Sequence, residues 1–191
     1  MNDKILFLDF DGVITNDASL MEYSARAKKE DVSMILSRGC VAMIEIIMIQ
    51  TGCDVVFSTN WRHEHSDDQL YEFLVEAGMT LPRERFIDRT LRRSMSSSHH
   101  GIEIKEYYDS HYVGSFAILD DEDQGLSHYF KEYDSNGTNI DEAKWIRTNT
   151  NSGLLKYQMF AAIAILGRTP EAQAAHDEYQ KDLELLTNVM F

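Results

Sequence analysis

The chain has 191 residues, enough for one well-buried core, and a hydrophobic fraction of 43% with only two prolines excludes disordered and low-complexity classes. The formal net charge of -14 argues against stable, sequence-independent nucleic-acid binding, which relies on many Lys and Arg contacts to phosphates. No apolar run reaches transmembrane length and no signal-peptide core is present, so we expect a cytoplasmic protein that does not enter the membrane.

The first predicted element is a short strand over residues 5–8, whose four apolar residues are typical of a strand buried on both faces of a parallel sheet. The strand stops at Asp9 and Asp11, and Gly12 follows where the chain turns. Ligands of open α/β sheets lie at the carboxyl ends of the strands. Two carboxylates this close repel each other unless a cation such as Mg²⁺ neutralises them. Taken alone, the stretch also fits a polar turn without function.

A helix and a second strand follow. Residues 33–50 are strongly apolar and compatible with a helix that ends at Gly52. Asp54–Phe57 is the second apolar strand, and it breaks into Ser58, Thr59 and Asn60. Strand, helix and strand in this order are the βαβ pattern of a parallel sheet.

The remaining elements continue this alternation. A third apolar strand over residues 113–119 ends at Asp120 and Asp121. The other predicted elements are helices over 67–77, 102–111 and 154–166, a short strand over 85–90, an edge strand over 144–147, and a last helix opening with Thr169 and Pro170.

These elements predict one doubly wound, Rossmann-like α/β domain over residues 1–168, a parallel sheet with helices on both faces and no large cap domain. Residues 169–191 form an extra amphipathic helix, which we expect to pack on the same domain. A dimer seam is the alternative for its apolar stripe, which consists of Ala172, Ala175, Tyr179, Leu183, Leu186 and Met190.

Three predicted strands thus end in polar clusters that meet at one edge of the sheet. The Asp-x-Asp-Gly-Val run at 9–13, Thr59 or Ser58 after the second strand, and the pair Asp120 and Asp121 together resemble the motifs of the haloacid dehalogenase-like (HAD) superfamily of phosphatases. The resemblance covers residues 4–166. The Asn-Trp-Arg run at 60–62, the Ile-Leu-Asp-Asp-Glu run at 118–122 and the Ser-Gly-Leu run at 152–154 resemble small HAD domains, some of them associated with RNA-repair proteins.

The resemblance implies a Mg²⁺-dependent phosphatase. Asp9 would attack phosphorus and form an aspartyl phosphate, and Asp11 would act as general acid and base. Thr59 would donate its hydroxyl to a phosphoryl oxygen, with Ser58 as an ordinary strand residue pointing the other way. The implied Mg²⁺ ligands are the Asp9 carboxylate, the Asp11 backbone carbonyl, and the acidic residues Asp120 and Asp121.

The third motif of such enzymes is a Lys or Arg that steadies the phosphate. We expect Lys105 in this role, since its predicted helix precedes the strand that ends at Asp120. Arg92 and Arg93 compete with it, as does His100, because the related small domains carry a basic residue just before the position of Gly101.

Other histidines and Arg62 fit surface or structural roles. No Cys completes a zinc set with His63, His65, or the pair at 99 and 100, so we expect surface histidines. Arg62 fits either a substrate contact or an ion pair with Glu64 or Asp67.

The predicted function is hydrolysis of a phosphomonoester on a phosphoprotein, a nucleic-acid end or a nucleotide. A catalytically inactive interaction protein with this fold is the alternative, against which the intact pair Asp9 and Asp11 argues. A phosphomutase would need a cap to exclude water, and no segment long enough for one is evident.

Overall fold

The computed structural model describes residues 3–25, 35–91, 99–134 and 140–189, with side chains described as far as residue 181. Its centre is a five-stranded sheet in which every neighbouring pair is parallel, in the order β3-β2-β1-β4-β5. The strands are β1 (Lys4–Leu8), β2 (Asp54–Phe57), β3 (Phe86–Arg89), β4 (Ser115–Asp120) and β5 (Trp145–Arg147). The three strands that end in polar clusters, β1, β2 and β4, are therefore adjacent.

Helices follow or precede each strand and cover both faces of the sheet. They are α1 (Asp17–Ala25), α2 (Arg38–Thr51), α3 (Asp67–Glu76), α4 (His100–Ser110), α5 (Leu126–Tyr129), α6 (Lys156–Leu166) and α7 (Pro170–Val189). On one side α2 packs against α6, and on the other α4 packs against α5. The predicted doubly wound, Rossmann-like α/β fold is confirmed, and the described residues contain no large cap domain.

Alternate residues of the central strands enter two hydrophobic cores. Leu6 and Leu8 face the core that includes the buried residues of α2 and α6. Ile5 and Phe7 face the second core, which includes Ile104 of α4. Because both faces of β1 are buried in this way, residues 5–8 are all apolar, and the loop that follows them starts in the middle of the sheet.

The predicted strands coincide with observed ones to within two residues, and the helices differ more. The helix predicted over 33–50 begins at Arg38, because the Ser37 side chain accepts a hydrogen bond from the Cys40 N–H and caps it. Residues 33 and 34 lie outside the described residues. Helices α1 and α5 were not predicted, because their short polar sequences lack a clear apolar stripe.

The last helix begins as predicted, where the Thr169 hydroxyl accepts a hydrogen bond from the Ala172 N–H (3.1 Å). Over 170–181 its side chains are exposed, apart from Ala172 and His176, which are half-buried. Leu183, Leu186 and Met190 lie outside the described side chains, so packing of this helix on the domain stays a prediction. Among the described residues, every helix is too short or too polar to traverse a lipid bilayer.

Candidate active site

The loop after β1 carries the first two carboxylates. The backbone N–H of Asp9 donates to the Leu119 carbonyl (3.1 Å), which extends the pairing of β1 with β4 by one residue. Its carboxylate is 3% exposed and accepts a hydrogen bond from the Phe10 N–H (2.7 Å). The Phe10 carbonyl accepts from the Thr15 N–H (2.9 Å), so the chain turns back and leaves Asp11 at the exposed rim. One carboxylate is thus buried at the sheet edge, and the next faces solvent.

Gly12 brings the loops after β1 and β4 together. Its φ of +64° lies in the left-handed region, and a Cβ atom added there would be 2.1 Å from Oδ2 of Asp121. That carboxylate also accepts a hydrogen bond from the Thr150 hydroxyl (2.7 Å). Only glycine combines this backbone conformation with so close an approach. Gly12 therefore allows the Asp121 side chain to lie beside the loop that carries Asp9 and Asp11.

Thr59 stands at the end of β2, at the N-terminus of a 3₁₀ turn over Asn60–His63. Its hydroxyl oxygen accepts from the Trp61 N–H (3.3 Å), and its interaction with Asp9 lowers the pKa of that carboxyl group. Ser58 is fully buried, and its hydroxyl has no hydrogen-bond partner among the described residues. Of the two hydroxyls that the sequence offers, the structure places that of Thr59 beside Asp9.

Asp120 ends β4 and is paired with a histidine. Oδ2 of Asp120 lies 2.6 Å from Nδ1 of His100, and both side chains are fully buried. Donor atoms of Asp9, His100 and Asp120 all lie within 4.8 Å of one another. The expectation that His100 lies at the surface was therefore wrong: it belongs to the centre of the site.

Burial and mutual repulsion govern the acidity of these carboxyl groups. Burial raises the pKa of Asp9 well above its ordinary value, and the negative charges of Asp120 and Asp11 raise it further. Partial desolvation by the neighbouring loops also raises the pKa of Asp11, although the residue lies at the exposed rim, and that of Asp121. Carboxylate oxygens are the ligands that Mg²⁺ prefers, and a bound cation would relieve the repulsion among these carboxylates.

Trp61 fixes the side chain of Asp11. Its indole Nε1–H donates to both carboxylate oxygens of Asp11, at 3.0 and 3.2 Å. The indole ring packs on Phe10, with 5.4 Å between the ring centroids. The exposed carboxylate is thereby held by a ring whose own position is set by the core.

Arg62 is buried and structural. Its guanidinium donates to the carbonyl oxygens of Thr90 (3.1 Å), Ser58 (2.7 Å) and Thr59, and it pairs with the buried Glu103 of α4. The suggested partners Glu64 and Asp67 were wrong, because the guanidinium turns inward toward α4. Arg62 therefore links the end of β2 to helix α4 through these hydrogen bonds and its ion pair with Glu103.

The other basic candidates are placed less favourably. Lys105 forms an ion pair with Asp109, one turn further along α4. Arg92 and Arg93 lie outside the described residues. His63 and His65 are half-buried on the 3₁₀ turn and just after it. On α4 it is His100, rather than Lys105, that contacts one of the predicted metal ligands.

Two cavities lie beside residues that carry or contact the site carboxylates. The first, about 420 Å³, is largely polar and extends from Asp121, and the second, about 450 Å³, lies beside Trp61. The lining residues of the first include Arg147, Thr148, Asn149, Thr150, Tyr157 and Gln158, and those of the second are Ile35, Asn60, Trp61, Glu64 and His65.

The contacts of Trp61 and Thr150 with the site were not predicted from the sequence, and Lys105 was preferred to His100. One signal was present: Gly101 is an isolated glycine at the start of a helix. A Cβ atom there would lie 2.3 Å from the backbone of Gly125, so only glycine lets α4 approach the loop after β4 and bring His100 to Asp120.

Comparison with known proteins gives one assignment. A family model described as the HAD domain in Swiss Army Knife RNA repair proteins matches residues 5–159. Neither the curated proteins nor the solved structures contain a match to the chain. The match agrees with the parallel sheet and with the carboxylates at its edge, and the HAD assignment supports a hydrolase of the phosphatase type. The chain therefore belongs to the family of HAD domains found in Swiss Army Knife RNA repair proteins.

Proposed function

We propose that the protein is a Mg²⁺-dependent phosphatase that hydrolyses a phosphomonoester through an aspartyl phosphate on Asp9. The observation that carries the proposal is the pairing of a buried carboxylate, Asp9, with an exposed one, Asp11, two residues apart at the edge of the sheet. A nucleophile gains from a fixed, water-poor position, whereas a proton donor must reach the leaving group.

In the first step an oxygen of the Asp9 carboxylate forms a bond to phosphorus while the bond from phosphorus to the ester oxygen breaks. The Asp11 carboxyl group gives its proton to that ester oxygen, which leaves as an alcohol. The raised pKa of Asp11 favours this role, because it increases the protonated fraction near neutral pH. Thr59, whose side chain interacts with Asp9, would donate its hydroxyl to a phosphoryl oxygen.

In the second step water attacks the phosphorus of the aspartyl phosphate. Asp11, now ionised, removes a proton from the water, the bond between Asp9 and phosphorus breaks, and inorganic phosphate leaves. Both residues return to their starting protonation states. The hydrogen bonds from the Trp61 indole keep Asp11 at one position for both steps.

Mg²⁺ fits the donor set at this edge. The carboxylates of Asp9 and Asp120 would hold it, together with the backbone carbonyl of Asp11 and the carboxylate of Asp121. When bound, the ion neutralises charge on the phosphoryl oxygens and so allows an anionic nucleophile to approach an anionic substrate.

We assign to His100 the place that Lys or Arg takes in the third motif. Its imidazole contacts the Asp120 carboxylate and so orients a predicted metal ligand from within the core. The catalytic role predicted for Lys105 stays a prediction, and its ion pair with Asp109 gives it no support.

For the substrate we propose a phosphorylated RNA end, because the family model is named for RNA repair proteins. The absence of a large cap among the described residues suits a bulky substrate. Binding would depend on the terminal phosphate and its immediate neighbours, since a net charge of -14 opposes extensive contact with a polyanion. A phosphoprotein and a free nucleotide are the alternatives.

Hydrolysis of 4-nitrophenyl phosphate, with Mg²⁺ and with a chelator, tests the reaction type. We expect metal-dependent turnover that falls at least about a thousandfold in Asp9→Asn, because the nucleophile is lost. Asp123→Asn is the matched control: this half-buried residue accepts from the Ser127 N–H (2.9 Å) through its carboxylate, and its replacement should leave turnover unchanged. Equal turnover in the native protein and in Asp9→Asn would contradict the proposal, and inactivity of the native protein would favour the interaction-protein alternative.

A further inference from the structure

The proposed function leaves open what the site recognises beyond the phosphate, and the following inference rests on that function. We propose that the cavity beside Trp61 is the subsite for the leaving group and that it binds a neutral, planar ring. The cavity measures about 450 Å³ and is lined by Ile35, Asn60, Trp61, Glu64 and His65.

The position of the general acid determines on which side of the site the leaving group lies. Asp11 must reach the ester oxygen, so the group attached to that oxygen leaves on the side of Asp11. Trp61 is in direct contact with Asp11 through its indole N–H. A leaving group that extends from the ester oxygen past Asp11 therefore meets the wall formed by Trp61.

That wall is built from aromatic rings that support one another. The Trp61 ring is braced by Phe10 and by Phe73, with centroids at 5.4 and 6.2 Å. The His65 ring stands edge-on to Phe73, at 5.1 Å and an interplanar angle of 87°. Trp61 and His65 both remain partly exposed toward the cavity. Aromatic side chains that are held in place by neighbouring rings and are accessible from a cavity provide a stacking surface for a planar ring.

The remaining lining residues indicate that the ring is uncharged. Ile35 adds an apolar contact, and the carboxylate of Glu64 disfavours a second phosphate at this position. The cavity beside Asp121 differs: Arg147 and several hydroxyl and amide side chains line it, and Tyr157 is its aromatic residue. A nucleobase or an aryl group therefore suits the Trp61 cavity better than the polar one.

A pair of substrates that differ chiefly in the planarity of the ring tests the proposal. Benzyl phosphate and cyclohexylmethyl phosphate carry the same type of alkyl ester and rings of equal carbon number, but only the first ring is planar. We expect the native protein to favour benzyl phosphate in kcat/KM by at least about fivefold, at the lower end of stacking on an aromatic side chain. His65→Ala and Trp61→Leu should bring the ratio close to one, while Tyr157→Leu, in the other cavity, should leave it unchanged.

The outcomes separate this inference from the function on which it rests. Metal-dependent hydrolysis of both substrates at equal rates would overturn the ring subsite and leave the phosphatase intact. Loss of the preference in Tyr157→Leu but not in His65→Ala would also overturn it. No turnover of any phosphate ester, 4-nitrophenyl phosphate included, would count against the phosphatase itself.

A binding measurement gives a second readout that does not depend on turnover. The chain has two tryptophans, so the fluorescence of Trp61 is obtained by comparing Asp9→Asn with the double variant Asp9→Asn/Trp61→Phe. We expect benzyl phosphate to change this fluorescence in a saturable manner and cyclohexylmethyl phosphate to bind at least about fivefold more weakly. Equal affinities, or no saturable change with benzyl phosphate, would overturn the subsite.

Discussion

Asp9 combines the chemical role proposed for it with an electrostatic cost to the folded protein. Its carboxylate is buried beside Asp120 and Asp11, and burial with these two charges raises its pKa well above the ordinary value. A group whose pKa is raised on folding stabilises the protein fully below its unfolded-state pKa, and this contribution is lost as the pH rises through the folded-state pKa. The metal-free protein should therefore be less stable at neutral than at mildly acidic pH on account of Asp9.

Asp9→Asn should consequently stabilise the metal-free protein at neutral pH. The amide keeps an acceptor for the Phe10 N–H but carries no charge, so we expect its melting temperature to exceed that of the native protein by about 3 °C, for a gain of about 1 kcal/mol. The difference should shrink as the pH falls and Asp9 becomes protonated. Calorimetry with chelator at several pH values measures it.

The control is Asp109→Asn, which removes a carboxylate from an exposed ion pair and should shift the melting temperature by no more than about 2 °C. Addition of Mg²⁺ should raise the melting temperature of the native protein more than that of Asp9→Asn. A melting temperature of Asp9→Asn below that of the native protein at neutral pH, without metal, would show that Asp9 is not under net repulsion.

A buried ion pair connects the end of β2 to helix α4. Arg62 and Glu103 have side chains that are 1% and 2% exposed, and the same guanidinium binds the carbonyls of Ser58 and Thr59. Removal of one partner of such a pair leaves the other charged and buried, which costs about 3 to 5 kcal/mol. The pair thus couples the position of Thr59 to the helix that carries His100.

Glu103→Gln should destabilise the protein by about 3 kcal/mol, because it leaves the Arg62 guanidinium without its counter-charge. The double variant Arg62→Met/Glu103→Met removes both charges and should be less destabilised than Glu103→Gln. Urea unfolding of the native protein and the variants, Arg62→Met included, measures the coupling. Strictly additive losses in the double variant would contradict the description of these residues as a pair.

The strands and their carboxyl-terminal residues could be predicted because they follow local rules. Short apolar runs before Asp9, Thr59 and Asp120 suffice to predict buried parallel strands, and the order of strand and helix predicts that their ends meet. The partners of the site could not be predicted in this way. Arg62 and Glu103 are 41 residues apart, His100 and Asp120 are 20 apart, and Trp61 and Asp11 are 50 apart, so only the three-dimensional packing selects them.

The charge of the whole protein sets how it meets a polyanion. A net charge of -14 repels an RNA strand at long range, even if one phosphate at its end is bound at the sheet edge. Salt screens that repulsion, and the screening length falls to about 8 Å at physiological ionic strength. This dependence is opposite to that of basic RNA-binding proteins, whose affinity falls as salt rises.

The quantity to measure is the ratio of kcat/KM for a phosphorylated oligonucleotide to kcat/KM for 4-nitrophenyl phosphate, at fixed Mg²⁺. We expect this ratio to rise by about twofold or more when monovalent salt is raised from low to physiological concentration. The aryl phosphate serves as the internal control, because it carries no further phosphates. A steep fall in the ratio with salt would indicate many phosphate contacts and would contradict recognition limited to the end of the strand.

Trapping the aspartyl phosphate shows whether Asp9 carries the phosphoryl group during turnover. Asp11→Asn should accumulate it from 4-nitrophenyl phosphate, because a good leaving group needs no proton in the first step whereas water needs a base in the second. The protein is mixed with substrate and Mg²⁺, quenched in acid, digested and analysed by mass spectrometry. We predict one phosphoryl group on the peptide that contains Asp9. A phosphoryl group on another residue, or an unmodified chain in a sample that turns over, would show that Asp9 is not the nucleophile.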